Sequence, residues 1–313
     1  MALDDATTTF LTEMAASGVQ PLHEMTPEEA RGLTAMLREM YGTGPQMHAV
    51  DDVRVPVDGG DILVRVLTPT ADPRGVLVYY HGGGWVIGAV PEFDTLGRVL
   101  AERTGMTTLL VDYRLAPEHR YPTAVDDSWA ALRWADEHRS TLAPSGGPLV
   151  VCGDSAGGNI SAVMAQRAKA AGGPRIDLQV LVYPVTDADL DNASYTDPSN
   201  QLMLSRDSMV WFWDHYAPDP ADRARPDASP IKADDLSGLP PAVVLTAEHD
   251  VLRDEGEAYA RRLAWAGVPV THRRFDGQMH GFFTMVNLLP GSAAGIDHVV
   301  AAIGEHVATT QPA

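Results

Sequence analysis

The sequence has 313 residues but only one cysteine, two lysines and no long apolar run. With Cys152 alone, no intrachain disulfide can form, which excludes a disulfide-stapled fold and suits a reducing cytoplasm. No stretch approaches the roughly 18–20 apolar residues that span a bilayer, so membrane insertion is not expected. The opening MALDDATTTF lacks both a basic start and an apolar core and does not read as a signal peptide. Lysine occurs only at Lys169 and Lys232, arginine carries the other positive charges, and the net charge is −19. Such a surface repels nucleic acid and anionic membranes, which excludes both as expected partners. The scarcity of lysine has two readings that the sequence leaves open: adaptation to salt, or GC-rich coding.

What is present is a hydrophobic content of 45%, with 28 glycines and 23 prolines, enough for a sizeable core and many loops. No period of 20 to 50 residues recurs, so a solenoid or propeller is excluded. Helical patterns cover residues 4–17 and 27–41. Thr26, Pro27 and Glu28-Glu29 form a start signal for the second, and Leu33, Met36, Leu37 and Met40 share one face of it. From residue 50 the pattern alternates, giving strands through Val53–Val57 and Ile62–Val66 joined at Asp58-Gly59-Gly60. Unbroken apolar runs follow at 76–80, 107–113, 149–153, 178–184 and 242–248, each trailed by a helical pattern. Strands buried on both faces read this way, and their alternation with helices predicts a mostly parallel sheet covered by helices. Residues 187–228 break the rhythm and read as an inserted helical segment. The expected organisation is an N-terminal pair of cap helices over 1–45, then a catalytic domain over 46–313 with 187–228 inserted as the rest of the cap.

Chemistry concentrates at strand ends. Gly153-Asp154-Ser155-Ala156-Gly157 matches G-x-S-x-G, a pattern that composition alone yields in about one chain in ten of this length. Its context is more specific: LVVC precedes it as a strand and AGGNISAVMAQRAKAA follows as a helix, the setting of a nucleophile elbow. Ser155 is therefore the expected nucleophile, while Cys152 falls within the strand and reads as a small hydrophobe. A serine hydroxyl needs a base. His272 lies in a strand pattern, and His298 and His306 in a terminal helix. His280 sits in the loop DGQMHGFF just past a strand, where catalytic groups are aimed. For the acid that orients the base, Asp250 follows the strand AVVLTAE, with Asp187 second because it too follows a strand end.

These stretches resemble the bacterial hormone-sensitive-lipase-like esterases of the α/β-hydrolase superfamily. The matching motifs are HGGGW (81–85), DYRLAPEHRYP (112–122), GDSAGG (153–158), HDVLRDEG (249–256) and MHGF (279–282). They cover about residues 50–310; the acid motif departs from the family's D-P-L in reading Asp250-Val251-Leu252. The resemblance implies an α/β-hydrolase fold with a central, mostly parallel eight-stranded sheet, and cleavage of small-molecule acyl esters with neither metal nor organic cofactor. It implies a Ser155–His280–Asp250 triad and an oxyanion hole of the Gly83, Gly84 and Ala156 amides. It also implies a homodimer. A side chain at Gly83 or Gly84 is expected to cost rate before fold, because a free approach to the backbone is what the glycines supply. Arg114 and Glu118 read as structural, spaced to support the active-site loops by ion pairing. Trp85, Met203, Trp211 and Phe282 are the expected pocket residues, with Phe212, Trp213, Tyr216 and Met209 divided between core and pocket. Deacetylation, lactone opening and amide hydrolysis would use the same triad. A non-catalytic small-molecule receptor shares the fold in certain plant proteins that lose the histidine, which this chain keeps.

Overall fold

The structure, a computed structural model, describes residues 2–310. Eight strands form one sheet: β1 (Ala49–Val57), β2 (Gly60–Thr68), β3 (Val76–Tyr80), β4 (Thr107–Asp112), β5 (Leu149–Asp154), β6 (Leu178–Val182), β7 (Ala242–His249) and β8 (Val270–Met279). Their spatial order is β1-β2-β4-β3-β5-β6-β7-β8. The first two junctions, β1–β2 and β2–β4, are antiparallel, and the other five are parallel. Asp58 and Gly59 close the β1–β2 hairpin, with Gly59 at φ +78° where a left-handed turn requires it.

The unbroken apolar runs are explained by two cores, one on each face. Val76, Val78 and Tyr80 of β3 enter one cluster, and Leu77 and Tyr79 enter the other. The first face is covered by α4 (Thr123–Glu137), α6 (Ala156–Ala171) and α10 (Arg253–Trp265), and the second by α3 (Val90–Thr104) and α11 (Pro290–Thr310). The one-turn α5 (Arg139–Leu142) follows α4. Cys152 is fully buried in the second cluster, where burial pushes its thiol pKa up and keeps it an uncharged packing group.

Two segments lie outside this rhythm. At the N-terminus, α1 (Asp5–Ala16) precedes α2 (Pro27–Leu37), which opens with a complete capping box: Glu29 N–H donates to Thr26, and the Thr26 N–H donates to the Glu29 carboxylate. The helix ends at Leu37, short of the expected 41, and its expected apolar face is only partly covered: Leu33 is half-buried, Met36 is 72% exposed, Met40 in the turn Arg38–Tyr41 is 50% exposed, and the Leu37 side chain lies outside the described residues. The helix docks through a neighbouring stripe, with Ala30 buried, Arg31 hydrogen-bonded to the Val86 carbonyl and Thr34 lining the cavity. The insertion holds α7 (Ala193–Thr196), α8 (Arg206–Tyr216) and α9 (Pro220–Arg223). Among the described residues, no helix is long and apolar enough to cross a membrane.

Candidate active site

β5 ends at Asp154 and α6 begins at Ala156, leaving Ser155 alone in the turn at φ +54° and ψ −117°. A non-glycine residue rarely holds such angles, and the surroundings enforce them. Gly157 leaves room for the Tyr80 carbonyl, which a Cβ there would overlap. The Ser155 N–H donates to the Val182 carbonyl at 2.8 Å. The result is a hydroxyl projecting from the sheet's edge at the N-terminus of a four-turn helix, whose dipole favours negative charge.

The next two groups arrive from β7 and β8. Asp250 directly follows β7 and is fully buried, its Oδ1 accepting from the Leu252 N–H at 2.9 Å. His280 directly follows β8, and its Nδ1 lies 2.8 Å from Asp250 Oδ2 while its Nε2 lies 3.1 Å from Ser155 Oγ. With Nδ1 protonated, the ring donates to the carboxylate and presents a free lone pair to the serine hydroxyl. The Tyr183 ring packs against the imidazole, with centroids 4.6 Å apart. Asp187 is elsewhere: its carboxylate accepts from Lys232 at 2.9 Å.

The glycine-rich loop after β3 faces this line. Gly83 and Gly84 have φ of +107° and +56°, and among the described residues no acceptor takes their N–H groups. The loop is fixed by its neighbours. The Gly82 N–H donates to Asp154 Oδ1 at 2.8 Å, and Tyr79 donates its hydroxyl to the same oxygen at 2.7 Å. His81, neutral through burial, hydrogen-bonds the Gly82 carbonyl through Nδ1 at 2.7 Å and stacks on Tyr113. Burial raises the Asp154 carboxyl to about 6 against the pull of these two donors. The glycines do more than leave a path open. A Cβ at Gly82 would overlap Asp154, at Gly83 the Ile87 carbonyl, and at Gly84 the Phe212 ring. A side chain at Gly83 or Gly84 therefore strains the loop itself, so fold and rate suffer together.

A cavity of about 170 Å³, open to solvent, is lined by Ser155, His280 and the three glycines. Its walls are mainly apolar, with Leu22 from the N-terminal segment, Ile87 and Phe93, and Met203, Leu204 and Phe212 from the insertion. Of the expected pocket residues only Met203 reaches it. Trp85 is fully buried and stacks on Tyr216 at 4.2 Å, behind the glycine loop. Trp211 lies edge-on to Phe212 and His215. Phe282 is buried against Phe275 and Tyr183 beneath the His280 loop. Met209, Trp213 and Tyr216 are core.

Arg114 and Glu118 each form an ion pair, with different partners. Arg114 forks onto buried Asp127 at 2.7 and 2.9 Å. Glu118 is forked by Arg31 of α2 at 2.7 and 2.9 Å, which holds its carboxyl down at about 2. Arg31 also donates to the Val86 and Ala116 carbonyls, each at 2.8 Å. One side chain of α2 thus ties the glycine loop to the segment after β4. Asp154 and Arg31 were missed in sequence. Only Asp154 carried a signal, as an acid in the middle of the nucleophile motif.

A family model described as alpha/beta hydrolase fold matches residues 77–284, and the chain belongs to that family, in its hormone-sensitive-lipase-like group. Carboxylesterase NlhH of Mycobacterium tuberculosis is 41% identical over 309 residues, covering 97% of this chain and 93% of its own. Ethyl acetate hydrolase of Pseudomonas putida is 36% identical over 304 residues, 94% of each chain. Among solved structures, a hyperthermophilic esterase from the archaeon Pyrobaculum calidifontis has a TM-score of 0.90 at 37% identity, covering 97% of this chain and 98% of that chain.

Proposed function

We propose that this protein is a carboxylesterase that cleaves short- to medium-chain acyl esters through an acyl-enzyme. The observation that carries the reading is His280, held 2.8 Å from a buried carboxylate and 3.1 Å from a serine hydroxyl inside an apolar cavity. Its relatives named as ester hydrolases support the same chemistry.

Ser155 Oγ attacks the ester carbonyl as His280 Nε2 takes its proton, giving a tetrahedral oxyanion and an imidazolium stabilised by Asp250. The N–H groups of Gly83, Gly84 and Ala156 receive the oxyanion, each worth about 3–4 kcal/mol of barrier. Collapse breaks the ester C–O bond, and the leaving alcohol takes the proton from His280. Water then attacks the acyl-enzyme, gives a proton to the same nitrogen, and releases the acid as Ser155 recovers its hydrogen. The N-terminal helices and residues 187–228 act as a cap, since both supply cavity walls. A cytoplasmic location and a homodimer belong to the same proposal, the second to be checked by analytical ultracentrifugation.

The test is a chain-length series of p-nitrophenyl esters with wild type and Ser155→Ala. Turnover should peak at short to medium acyl chains and fall by several orders of magnitude in the variant. Wild-type rates in Ser155→Ala would refute the nucleophile, and no turnover of any ester by wild type would refute the esterase reading.

A further inference from the structure

Besides Asp154, which anchors the glycine loop, the cavity walls carry a second carboxylic acid that the hydrolysis does not use. Glu92, in the first turn of α3, lines the cavity beside Phe93. Thr34 of α2 and Tyr41, from the turn Arg38–Tyr41, line it as well. The Thr34 hydroxyl, which donates to the Arg31 carbonyl at 3.1 Å, lies near enough to the Glu92 carboxyl to favour its charged form, and Tyr41 is close enough to feel that charge. Burial and the Asp112 charge push Glu92 up to about 7, while Thr34 and Arg38 pull the other way. Burial and the Glu92 and Asp154 charges push the Tyr41 hydroxyl up to about 12, so it stays un-ionised.

An acid among Leu22, Ile87, Phe93 and Met285 is costly to place unless something pairs with it. Its role is not to serve the triad, whose acid, base and nucleophile are all accounted for. Ligand cavities are mostly apolar with a few polar groups that set orientation and preference. We propose that Glu92 is a specificity-determining residue that accepts a hydrogen bond from a hydroxyl carried by the substrate, so that hydroxylated esters are preferred over plain alkyl esters. A carboxylate accepts hydrogen bonds and a carboxylic acid keeps an accepting carbonyl oxygen, so a hydroxyl is taken in either protonation state. Tyr41 can offer the same hydroxyl a donor. An alkyl chain of equal length leaves the half-buried acid without that partner, and the loss is what discriminates.

The inference rests on the cavity being the ester site. Its test therefore uses ratios of kcat/KM, followed by pH-stat on two isosteric pairs. Methyl 6-hydroxyhexanoate against methyl heptanoate probes the acyl side, and 4-hydroxybutyl acetate against pentyl acetate probes the alcohol side. A ratio is unaffected by the fraction of protein that folds. In Glu92→Leu the hydroxyl-to-alkyl ratio should fall about tenfold in at least one pair. Glu92→Gln, which keeps an accepting oxygen, should stay within about threefold of wild type. Unchanged ratios in Glu92→Leu for both pairs would overturn the proposal, as would a Glu92→Gln ratio that falls as far as that of Glu92→Leu. Either outcome leaves the esterase reading intact if Ser155→Ala is inactive. An active Ser155→Ala would overturn that reading instead.

Discussion

Asp154 lies behind the nucleophile, and replacing it separates the anchoring of the glycine loop from the chemistry. In Asp154→Ala, the buried Tyr79 hydroxyl and the Gly82 N–H both lose their acceptor. An unsatisfied buried donor costs about 1–3 kcal/mol, so the pair costs about 2–6 kcal/mol. At roughly 2–4 °C of Tm per kcal/mol, the fall is on the order of 5–20 °C. The loss depends on pH. The folded pKa of Asp154 is raised from 3.8 to about 6, so the folded protein holds this proton more tightly than the unfolded chain. Wild type therefore loses stability from this group as pH rises from 3.8 through 6, by up to about 3 kcal/mol at 1.36 kcal/mol per unit.

Asp154→Ala should accordingly be most destabilised at pH 5, with the gap to wild type narrowing by pH 8. Asp154→Asn keeps an accepting oxygen for both donors and does not titrate, so its Tm at pH 8 should equal or exceed that of wild type. Turnover of p-nitrophenyl acetate at pH 8 should fall about a hundredfold or more in Asp154→Ala and much less in Asp154→Asn, because only alanine frees the loop whose amides meet the oxyanion. The assays are calorimetry at both pH values and initial rates at saturating ester. If alanine and asparagine match in Tm at both pH values and in kcat, the carboxylate is not the anchor and the reasoning fails.

Asp250→Asn should keep the fold and lower kcat by roughly 10⁴, by analogy with other triads, while Asp187→Asn changes kcat little because its partner is Lys232. A rate loss in Asp187→Asn instead would show that the acid is misassigned. Glu255 is buried with its carboxyl held well above 4.5 by desolvation, while its Oε1 accepts from the Thr186 and Asp187 N–H groups. Its contribution to stability is thus present below about 4.5 and declines as pH rises, so Glu255→Gln should gain Tm relative to wild type between pH 5 and 9. A constant difference across that range would contradict this.

The parts of the fold that could be read in sequence are those where one physical constraint dominates. Runs such as VLVYY admit little except a strand buried on both faces, and β3 divides its residues between the two cores as that demands. The nucleophile turn was equally readable, because Gly153 and Gly157 are forced by backbone contacts that tolerate no Cβ. The pocket was not. Helical spacing cannot tell which of Trp211 and Phe212 turns inward, and the structure chooses Phe212, against Gly84. Trp85 follows the glycines directly, yet its backbone at φ +61° belongs to a buried side chain stacked on the insertion. Ion pairs across long separations were likewise out of reach: Glu118 meets Arg31 across 87 residues, while nearer Arg114 is taken by Asp127.

That Arg31 pairing bears on how such enzymes can be rebuilt. The helix α2 is an attractive part to exchange between relatives, since it lines the cavity through Thr34 and leaves Met36 in solvent. Four hydrogen bonds from one guanidinium also make it the clasp on the Val86 and Ala116 carbonyls and on Glu118. A donor helix without an arginine at this position would bring new walls and at the same time unfasten the loop that positions Gly83 and Gly84. Grafts chosen for new substrates should therefore be transplanted with Arg31 retained, or with a replacement for both halves of the Arg31–Glu118 pair.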